Sequence, residues 1–168
     1  MSDAVETPAA GEAATPRRIA LVASKGTLDQ AYSPLILATT AASLGWEAGV
    51  YFTFHGLDVI HKDRSHRLKV APLGNPAGPM QVPSLVGAVP GATKAATAMM
   101  RKWMADARMP EIPEFLDMAR GLGVRFFACS TTMGVMGVEE SDLVEGCDIA
   151  GAAAFLDFAA TADVSLYV

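Results

Sequence analysis

The feature that most narrows the fold of this chain is a short, mostly apolar run from Val124 to Ala128. Gly121 and Gly123 precede the run, and Cys129, followed by one serine and two threonines, ends it. A short apolar run between turn residues is typical of a strand buried on both faces, as in a parallel sheet covered by helices. Because serine and threonine often cap helices, the pattern predicts a thiol where a strand ends and a helix begins.

Cys129 is therefore the candidate functional residue. Ligands of open α/β sheets bind at the carboxyl ends of the strands. A helix N-terminus at that position favours thiolate over thiol, because the backbone N–H groups and the helix dipole stabilise negative charge. Cysteine is also among the most buried residue types and often only fills space in a core. Its position alone leaves both interpretations open.

Other short apolar runs alternate with helical patterns along the chain. Ile19 to Ala23 and Glu47 to Phe54 are predicted strands, and the stretch from Ala31 to Leu44, closed by Gly45, is a predicted helix between them. Pro34 falls in the first turns of this helix, where proline is tolerated. The later predictions are helices at 94–109, 114–120, 139–144 and 152–162 and strands at 146–150 and 164–168.

This alternation predicts an α/β fold, a three-layer, doubly wound sheet of about five mainly parallel strands. A length of 168 residues fits one domain, and a hydrophobic content of 51% supports a substantial core. Residues 1–16 are acidic and rich in alanine, proline and threonine, which predicts a disordered tail. The predicted domain therefore covers residues 17–168.

Composition and charge exclude several function classes. The net charge of -5 argues against general nucleic-acid binding. With only two cysteines and no recognisable secretory signal, the chain is not read as a disulfide scaffold, and a reducing cytoplasm is the expected location. A mean hydropathy of +0.29 is high for a monomer and indicates apolar surface that is buried between subunits.

The stretch from Val70 to Thr93 carries no charged residue over 24 positions. Its length suggests a membrane span, but five prolines and four glycines interrupt it. A helix cannot run through these residues, and irregular backbone is not tolerated against lipid. The sequence therefore predicts a long apolar loop and no membrane span.

Polar residues follow the first predicted strand as the turn Ser24-Lys25-Gly26-Thr27. The turn lacks the spaced glycines and the Gly-Lys-Ser/Thr ending of a phosphate-binding loop, so nucleotide binding through it is disfavoured. Its predicted role is one wall of a pocket at the carboxyl edge of the sheet, with Ser24, Lys25 and Gly26 as its candidate residues.

The three histidines, His55, His61 and His66, all lie in a basic stretch that ends at Lys69. Their spacings are not typical of metal ligation, which usually places histidines four residues apart on a helix or adds carboxylates. We predict a solvated basic loop and no metal site. Such a loop could receive an anionic substrate or an acidic partner.

Four segments of the chain, read in order and spacing, resemble the DsrE/DsrF-like family. The similarity is greatest to the soluble relatives of its sulfur-oxidation branch, some of which are labelled peroxiredoxin-like, and it covers residues 18–168. The segments are IALVASKGTLDQAY, LGNPAGP with VPGATKAATAMMRKWM, GVRFFACSTTMGVMGVEESDLVEG and GAAAFLDFA. The segment that contains the cysteine is the most specific of them.

The resemblance implies a flavodoxin-like sheet and a homo-oligomer, either a trimer, a hexamer or a tetramer. It also implies a cysteine that carries sulfur as a persulfide or thiosulfonate, and Cys129 maps onto the family position. The implied partners are a TusA-type sulfur carrier protein and heterodisulfide-reductase-like or related sulfur enzymes. No cofactor is implied. Whether the chain is a true sulfurtransferase or only a carrier stays open.

Sulfur transfer requires a thiolate of low pKa, to which other residues can contribute. Thr131 and Thr132 are candidates to hold the negative charge of the outer sulfur, and Lys25 or the basic loop to add positive potential. Cys147 is a possible second thiol. That role requires its Cα atom to lie within about 7 Å of the Cα atom of Cys129.

Three alternatives are considered for Cys129. A thiol peroxidase would place a proline and a threonine where this chain has Leu122 and Phe126. A single-domain rhodanese would place an arginine after the cysteine, and no arginine occurs between Ser130 and Glu145. Both mismatches favour the DsrE-like carrier. A non-catalytic oligomeric binding or scaffold subunit, with Cys129 as a structural residue, stays open.

Overall fold

The computed structural model describes residues 16–71 and 91–168. The strands of this part are β1 Arg18–Ala23, β2 Glu47–Phe52, β3 Arg125–Cys129, β4 Cys147–Ala150 and β5 Val164–Tyr167. Its α-helices are α1 Leu28–Ser43, α2 Ala92–Asp106, α3 Ile112–Gly121, α4 Ser130–Met136 and α5 Ala152–Ala159. Short 3-10 helices are found at Phe54–Asp58, Ser65–Arg67 and Glu140–Asp142.

The five strands form one parallel sheet in the order β4-β3-β2-β1-β5. The predicted doubly wound α/β fold is confirmed. From β1 to β4 the chain advances across the sheet in one direction, and β5 then returns to the far side of β1. Because crossover connections between parallel strands are right-handed, the reversal moves α5 to the opposite face from α1, α3 and α4.

The pleat of the strands separates two cores. On β3, Phe126 and Ala128 point into the larger core, which also contains residues of α1 and α3. Phe127 and Cys129 point to the other face, into a smaller cluster with Phe155 of α5. Successive side chains of a strand alternate between faces, so the register of β3 places the thiol on the side of the sheet that α5 covers.

Helix α1 packs against the larger core through side chains spaced three and four residues apart. Leu28, Ala31, Leu35 and Ala38 are almost fully buried, and burying a leucine side chain stabilises the fold by about 1.5–3 kcal/mol. The helix begins three residues earlier than predicted, so Pro34 lies inside it rather than in its first turns. Proline removes one hydrogen bond of the helix there, and the burial of this face offsets the loss.

Strand β2 ends at Phe52, two residues earlier than predicted. Phe54 has a φ of 49°, a left-handed conformation that an extended strand does not contain, and a 3-10 helix begins at this residue. The chain therefore turns immediately after Thr53. This turn leaves the hydroxyl of Thr53 at the carboxyl edge of the sheet.

Two glycines allow the loops that follow β1 and β2 to touch. A Cβ atom on Gly26 would lie 2.3 Å from the carbonyl oxygen of His55, and one on Gly56 would lie 2.0 Å from that of Ala23. Both contacts are with backbone atoms, which cannot rotate away. Glycine is therefore required at both positions, and the carboxyl edge of the sheet is closely packed between β1 and β2.

Two predictions from the sequence fall mainly outside the described residues. These are the disordered N-terminal tail, of which only Pro16 is described, and the apolar loop, whose residues between Ala71 and Gly91 are not described. In residues 16–71 and 91–168, no helix has the length and apolar content needed to cross a membrane.

Candidate functional site

Cys129 ends β3, beside β4, whose outgoing connection crosses to the other face of the sheet. It pairs in register with Ala150 at the end of β4. The connection after β3 leads directly into α4 on one face, whereas the connection after β4 leads through Gly151 into α5 on the opposite face. Adjacent strands whose connections leave in opposite directions form a crevice at their carboxyl ends, which is where doubly wound sheets bind ligands.

The backbone of Cys129 has the conformation of a helix N-cap residue. Cys129 is both the last residue of β3 and the N-cap residue of α4, with an extended backbone (φ -67°, ψ 107°). The predicted helix after the cysteine is therefore confirmed. The hydroxyl of Thr132, one turn into α4, donates a hydrogen bond to the carbonyl oxygen of Cys129 at 3.2 Å, and the hydroxyl of Thr53 approaches Thr132 Oγ1 at 3.4 Å.

The surroundings of Cys129 lower the pKa of its thiol to about 7. Burial alone would raise this pKa, since it disfavours the charged form. The hydroxyls of Thr132 and Tyr51, the backbone N–H of Thr132 and the hydroxyl of Thr53 outweigh burial by hydrogen bonding to the thiolate. The donors are neutral groups, and no charged residue is among the causes of the shift. A thiol of this kind is about half ionised at pH 7.

Tyr51 is the second polar group on this face. Its ring is buried, with 7% of the residue exposed, and it stacks on Phe155 with 4.7 Å between centroids and 16° between planes. In the resting geometry its hydroxyl is buried and makes no hydrogen bond within the described part of the chain. It is nevertheless among the groups that lower the pKa of the Cys129 thiol. Burial raises the pKa of Tyr51, and Cys129 raises it further.

The thiol itself is poorly exposed. Cys129 has 6% of its surface accessible and packs in the smaller cluster beside Phe127, Ala150 and Phe155. Ser130 and Thr131, in the first turn of α4, are exposed. Of the two predicted threonines the structure therefore brings Thr132 to the thiol, while Thr131 lies on the solvent side of the turn.

The structure does not bring the two cysteines together. Cys147 is the first residue of β4 and pairs with Phe126, three residues before Cys129. At about 3.3 Å per residue, this offset alone separates the two Cα atoms by roughly 10 Å, which exceeds the reach of a disulfide. Cys147 also packs against the larger core, on the opposite face of the sheet. Burial raises the pKa of its thiol to about 12.

The turn after β1 and the basic loop form a cleft of their own. Gly26 and Thr27 line this cleft, of about 580 Å³, together with Arg64, Arg67 and Lys69. Cys129 is not one of its lining residues. The turn and the basic loop thus meet at this cleft, and β2 lies between β1 and the strand that ends in the thiol.

The remaining predicted residues of the turn and loop have other contacts. Lys25 is exposed, and its Nζ lies 3.5 Å from Oε1 of Gln30. Ser24 is partly exposed. His61 is buried rather than solvated, because its Nδ1 accepts the backbone N–H of Asp63 at 3.1 Å and its backbone bridges to Leu143.

His55 and His66 are exposed. In residues 16–71 and 91–168, no three side chains of the metal-binding types come together.

Comparison with known proteins places the chain in a family. The model of the DsrE/DsrF/DrsH-like family matches residues 15–167. The chain belongs to this family. It is 39% identical over 158 residues to the sulfur carrier protein DsrE2 of Allochromatium vinosum, a match that covers 90% of this chain and 98% of the relative. It is also 29% identical to the uncharacterized protein YrkE of Bacillus subtilis, over 90% of this chain and 97% of that protein.

Solved structures share the fold of this DsrE-like chain. The crystal structure of the ychN protein from E. coli aligns with a TM-score of 0.56 at 12% identity, covering 90% of this chain and 99% of the other. A protein of unknown function from Methanobacterium thermoautotrophicum aligns with a TM-score of 0.52 at 16% identity, with the same coverage. At these identities the likeness shows the fold alone.

Sequence analysis missed Tyr51 and Thr53 as residues of the site. Tyr51 lies on β2 and Thr53 directly follows it, and only the parallel register of β2 with β3 brings them beside Cys129. The sequence offers one signal for these residues, which is a hydroxyl side chain near the carboxyl end of a predicted strand. This signal does not show that the strand lies next to the one that ends at Cys129. In this DsrE-like sheet the arrangement provides a thiolate at neutral pH, held by hydroxyl donors in an apolar surrounding.

Proposed function

We propose that this member of the DsrE/DsrF/DrsH-like family accepts sulfur on Cys129, as a persulfide or thiosulfonate, and passes it to partner proteins in a sulfur relay. The observation that carries the proposal is the Cys129 thiol. It lies at the crevice between the carboxyl ends of β3 and β4, and its pKa is lowered to about 7. The name of the relative that is 39% identical, a sulfur carrier protein, supports it.

The persulfide form of the reaction is a thiol exchange. The Cys129 thiolate attacks the outer sulfur of a donor persulfide, R–S–SH, and forms a new S–S bond. The S–S bond of the donor breaks, and the donor leaves as the thiolate R–S⁻. Cys129 then carries –S–SH. The charge is the same on both sides, and no added oxidant or reductant is needed.

The proposed partners are a TusA-type sulfur carrier protein and heterodisulfide-reductase-like or related sulfur enzymes, in the cytoplasm. Two basic side chains of the cleft, Arg67 and Lys69, would suit the approach of an acidic surface or an anionic donor, whereas Arg64 is paired with Asp58 of the same cleft. Assembly into a trimer, hexamer or tetramer is part of the proposal.

The burial of Cys129 favours a second candidate function. A thiol with 6% exposure is also what a structural cysteine of a non-catalytic binding or scaffold subunit would show. The two functions differ in reactivity. A carrier thiol is alkylated in the folded protein near neutral pH, whereas a structural thiol is alkylated only on unfolding.

Intact-mass measurement tests the proposed function. The purified protein is incubated separately with thiosulfate, tetrathionate, polysulfide and a sulfur-loaded TusA-type carrier. We expect an adduct that thiol reduction removes, whose mass distinguishes a persulfide from a thiosulfonate. Cys129→Ser, which changes one atom, should lose the adduct and keep the fold.

Cys147→Ser is the matched control, because it removes the other thiol of the chain. It should load sulfur like the wild type. An adduct that persists in Cys129→Ser would assign the sulfur to another residue. No adduct from any donor, together with no alkylation of the folded protein, would favour the scaffold subunit.

A further inference from the structure

The hydroxyl of Tyr51 lies on the same face of the sheet as the thiol, and its surroundings are unusual. The oxygen is buried, and it makes no hydrogen bond in the resting geometry with any described residue. Buried polar groups in proteins are nearly always hydrogen-bonded, and a native exception requires an explanation. The other buried tyrosine, Tyr32, follows the rule, since its hydroxyl donates to the carbonyl oxygen of Pro110 at 2.8 Å.

The sheet register explains what Tyr51 faces. Tyr51 pairs with Phe127 on β3, and Cys129 is the next residue of β3 on the same face. The ring of Phe155 stacks on Tyr51 at 4.7 Å and meets Phe127 at 5.6 Å with a tilt of 66°. The aromatic contacts hold the ring of Tyr51 in place. The hydroxyl is therefore preorganised beside the thiol without being paired to it.

We propose that the Tyr51 hydroxyl is a catalytic residue that donates a hydrogen bond to the Cys129 thiolate and, after transfer, to the sulfur that Cys129 carries. The second half of this inference rests on the proposed function. Tyr51 forms and breaks no covalent bond. Its proton stays on its oxygen while the negative charge passes to the leaving thiolate of the donor.

Two further observations support this role. Burial raises the pKa of Tyr51, so the group remains an O–H donor over the range in which Cys129 ionises. The titratable and charged side chains of the neighbouring elements, such as Asp148 on β4 and Asp157 on α5, are not among the causes of the Cys129 shift. In the described part of the chain the thiolate is therefore held by neutral donors, of which Tyr51 alone comes from the stacked aromatic cluster.

The substitution Tyr51→Phe tests the inference, because it removes one oxygen atom and keeps the stacked ring. The rate of Cys129 alkylation by iodoacetamide is measured against pH in a Cys147→Ser background. A hydrogen bond to a charged group corresponds to a pKa change of about one unit. We expect the midpoint of the pH profile, which is the apparent pKa of Cys129, to rise by about one unit in Tyr51→Phe. Alkylation at pH 7 then becomes about fivefold slower than in the protein with Tyr51, and the two rates converge at high pH.

Tyr32→Phe is the matched control, since it removes a buried tyrosine hydroxyl from the larger core. It should leave the midpoint of Cys129 unchanged. A Tyr51→Phe profile that matches the wild type would overturn the inference. A general loss of rate at every pH, without a change of midpoint, would also overturn it, because that is the effect of altered packing.

A second measurement covers the case in which Tyr51→Phe does not fold. The chain has three tyrosines, so 3-fluorotyrosine incorporated in a Tyr32→Phe, Tyr167→Phe background labels Tyr51 alone. Fluorine makes the hydroxyl a stronger donor and keeps the hydrogen bond. The midpoint of Cys129 should move down, and an unchanged or higher midpoint would count against the inference.

Sulfur loading separates this inference from the proposed function. A wild-type protein that takes up no sulfur from any donor would overturn the proposed function, and with it the role of Tyr51 toward carried sulfur. A wild type that loads sulfur, with a Tyr51→Phe variant that loads at the same rate and has the same pH midpoint, would overturn only the inference about Tyr51.

Discussion

At the scale of single residues, the reactivity of Cys129 depends on two opposed effects. Burial disfavours the thiolate, and hydroxyl and N–H donors favour it more strongly, so that the pKa falls to about 7. Burial raises the pKa of the Cys147 thiol to about 12. The positive charge of Arg120 acts in the opposite direction but does not offset burial. Two cysteines of one chain thus differ by several pKa units because of their neighbours.

Alkylation should follow this difference. The thiolate is the reactive form, so the rate at Cys129 should rise as the pH passes through about 7 and level off above it. Cys147 should stay unmodified until the protein unfolds, since burial raises the pKa of its thiol to about 12. Peptide mass mapping after pulses of iodoacetamide measures both sites. Faster labelling of Cys147 than of Cys129 at pH 8 would contradict this assignment.

At the scale of elements, the carboxyl edge of the sheet depends on backbone contact between two loops. Gly56, in the 3-10 helix after β2, lies against the carbonyl group of Ala23 at the end of β1. This contact holds the turn that begins at Thr53, and Thr53 in turn approaches Thr132 beside the thiol. The loop geometry is therefore coupled to the donors of Cys129.

The substitution Gly56→Ala should disrupt this edge. The new Cβ atom would lie 2.0 Å from a carbonyl oxygen, so one loop must move. Overpacking of this kind costs about 1–3 kcal/mol, which chemical denaturation measures as a loss of unfolding free energy.

Gly134→Ala in α4 is the control, because nothing lies within 4 Å of its added methyl group. Alanine in a helix is favoured over glycine by about 0.5–1 kcal/mol. Equal stabilities of the two variants would show that the loops do not depend on their contact.

At the scale of the whole molecule, the topology decides which groups meet. The reversal of strand order moves α5 to the second face and creates the crevice at the ends of β3 and β4. The same topology separates Cys129 from Cys147 by three residues of register and by the thickness of the sheet.

This separation predicts the behaviour of the protein under oxidation. Diamide treatment of the folded chain should give no disulfide between Cys129 and Cys147 within one molecule, because their Cα atoms lie beyond disulfide reach. The same treatment in denaturant should give that bond. Proteolytic mapping under non-reducing conditions detects it. An intramolecular disulfide formed at full native structure would show that β4 can move relative to β3.

The alternation of apolar runs with helical patterns was enough to predict the α/β class, the five strands and the position of Cys129 between a strand and a helix. These features are local, since each depends on residues close together in the chain. Element ends were predicted less well. Phe54 and Pro34 show why, because a left-handed backbone and an early helix start are decided by tertiary contacts rather than by propensity.

What the sequence alone determined about this protein is its class of fold, its family resemblance and the cysteine on which its chemistry is proposed to depend. Only the tertiary structure decided which side chains surround that cysteine. Tyr51 and Thr53 are more than 70 positions away in the chain, and strand order and register bring them beside it. Pairing between distant strands is a property of the whole sheet, so no local pattern in the sequence specifies it.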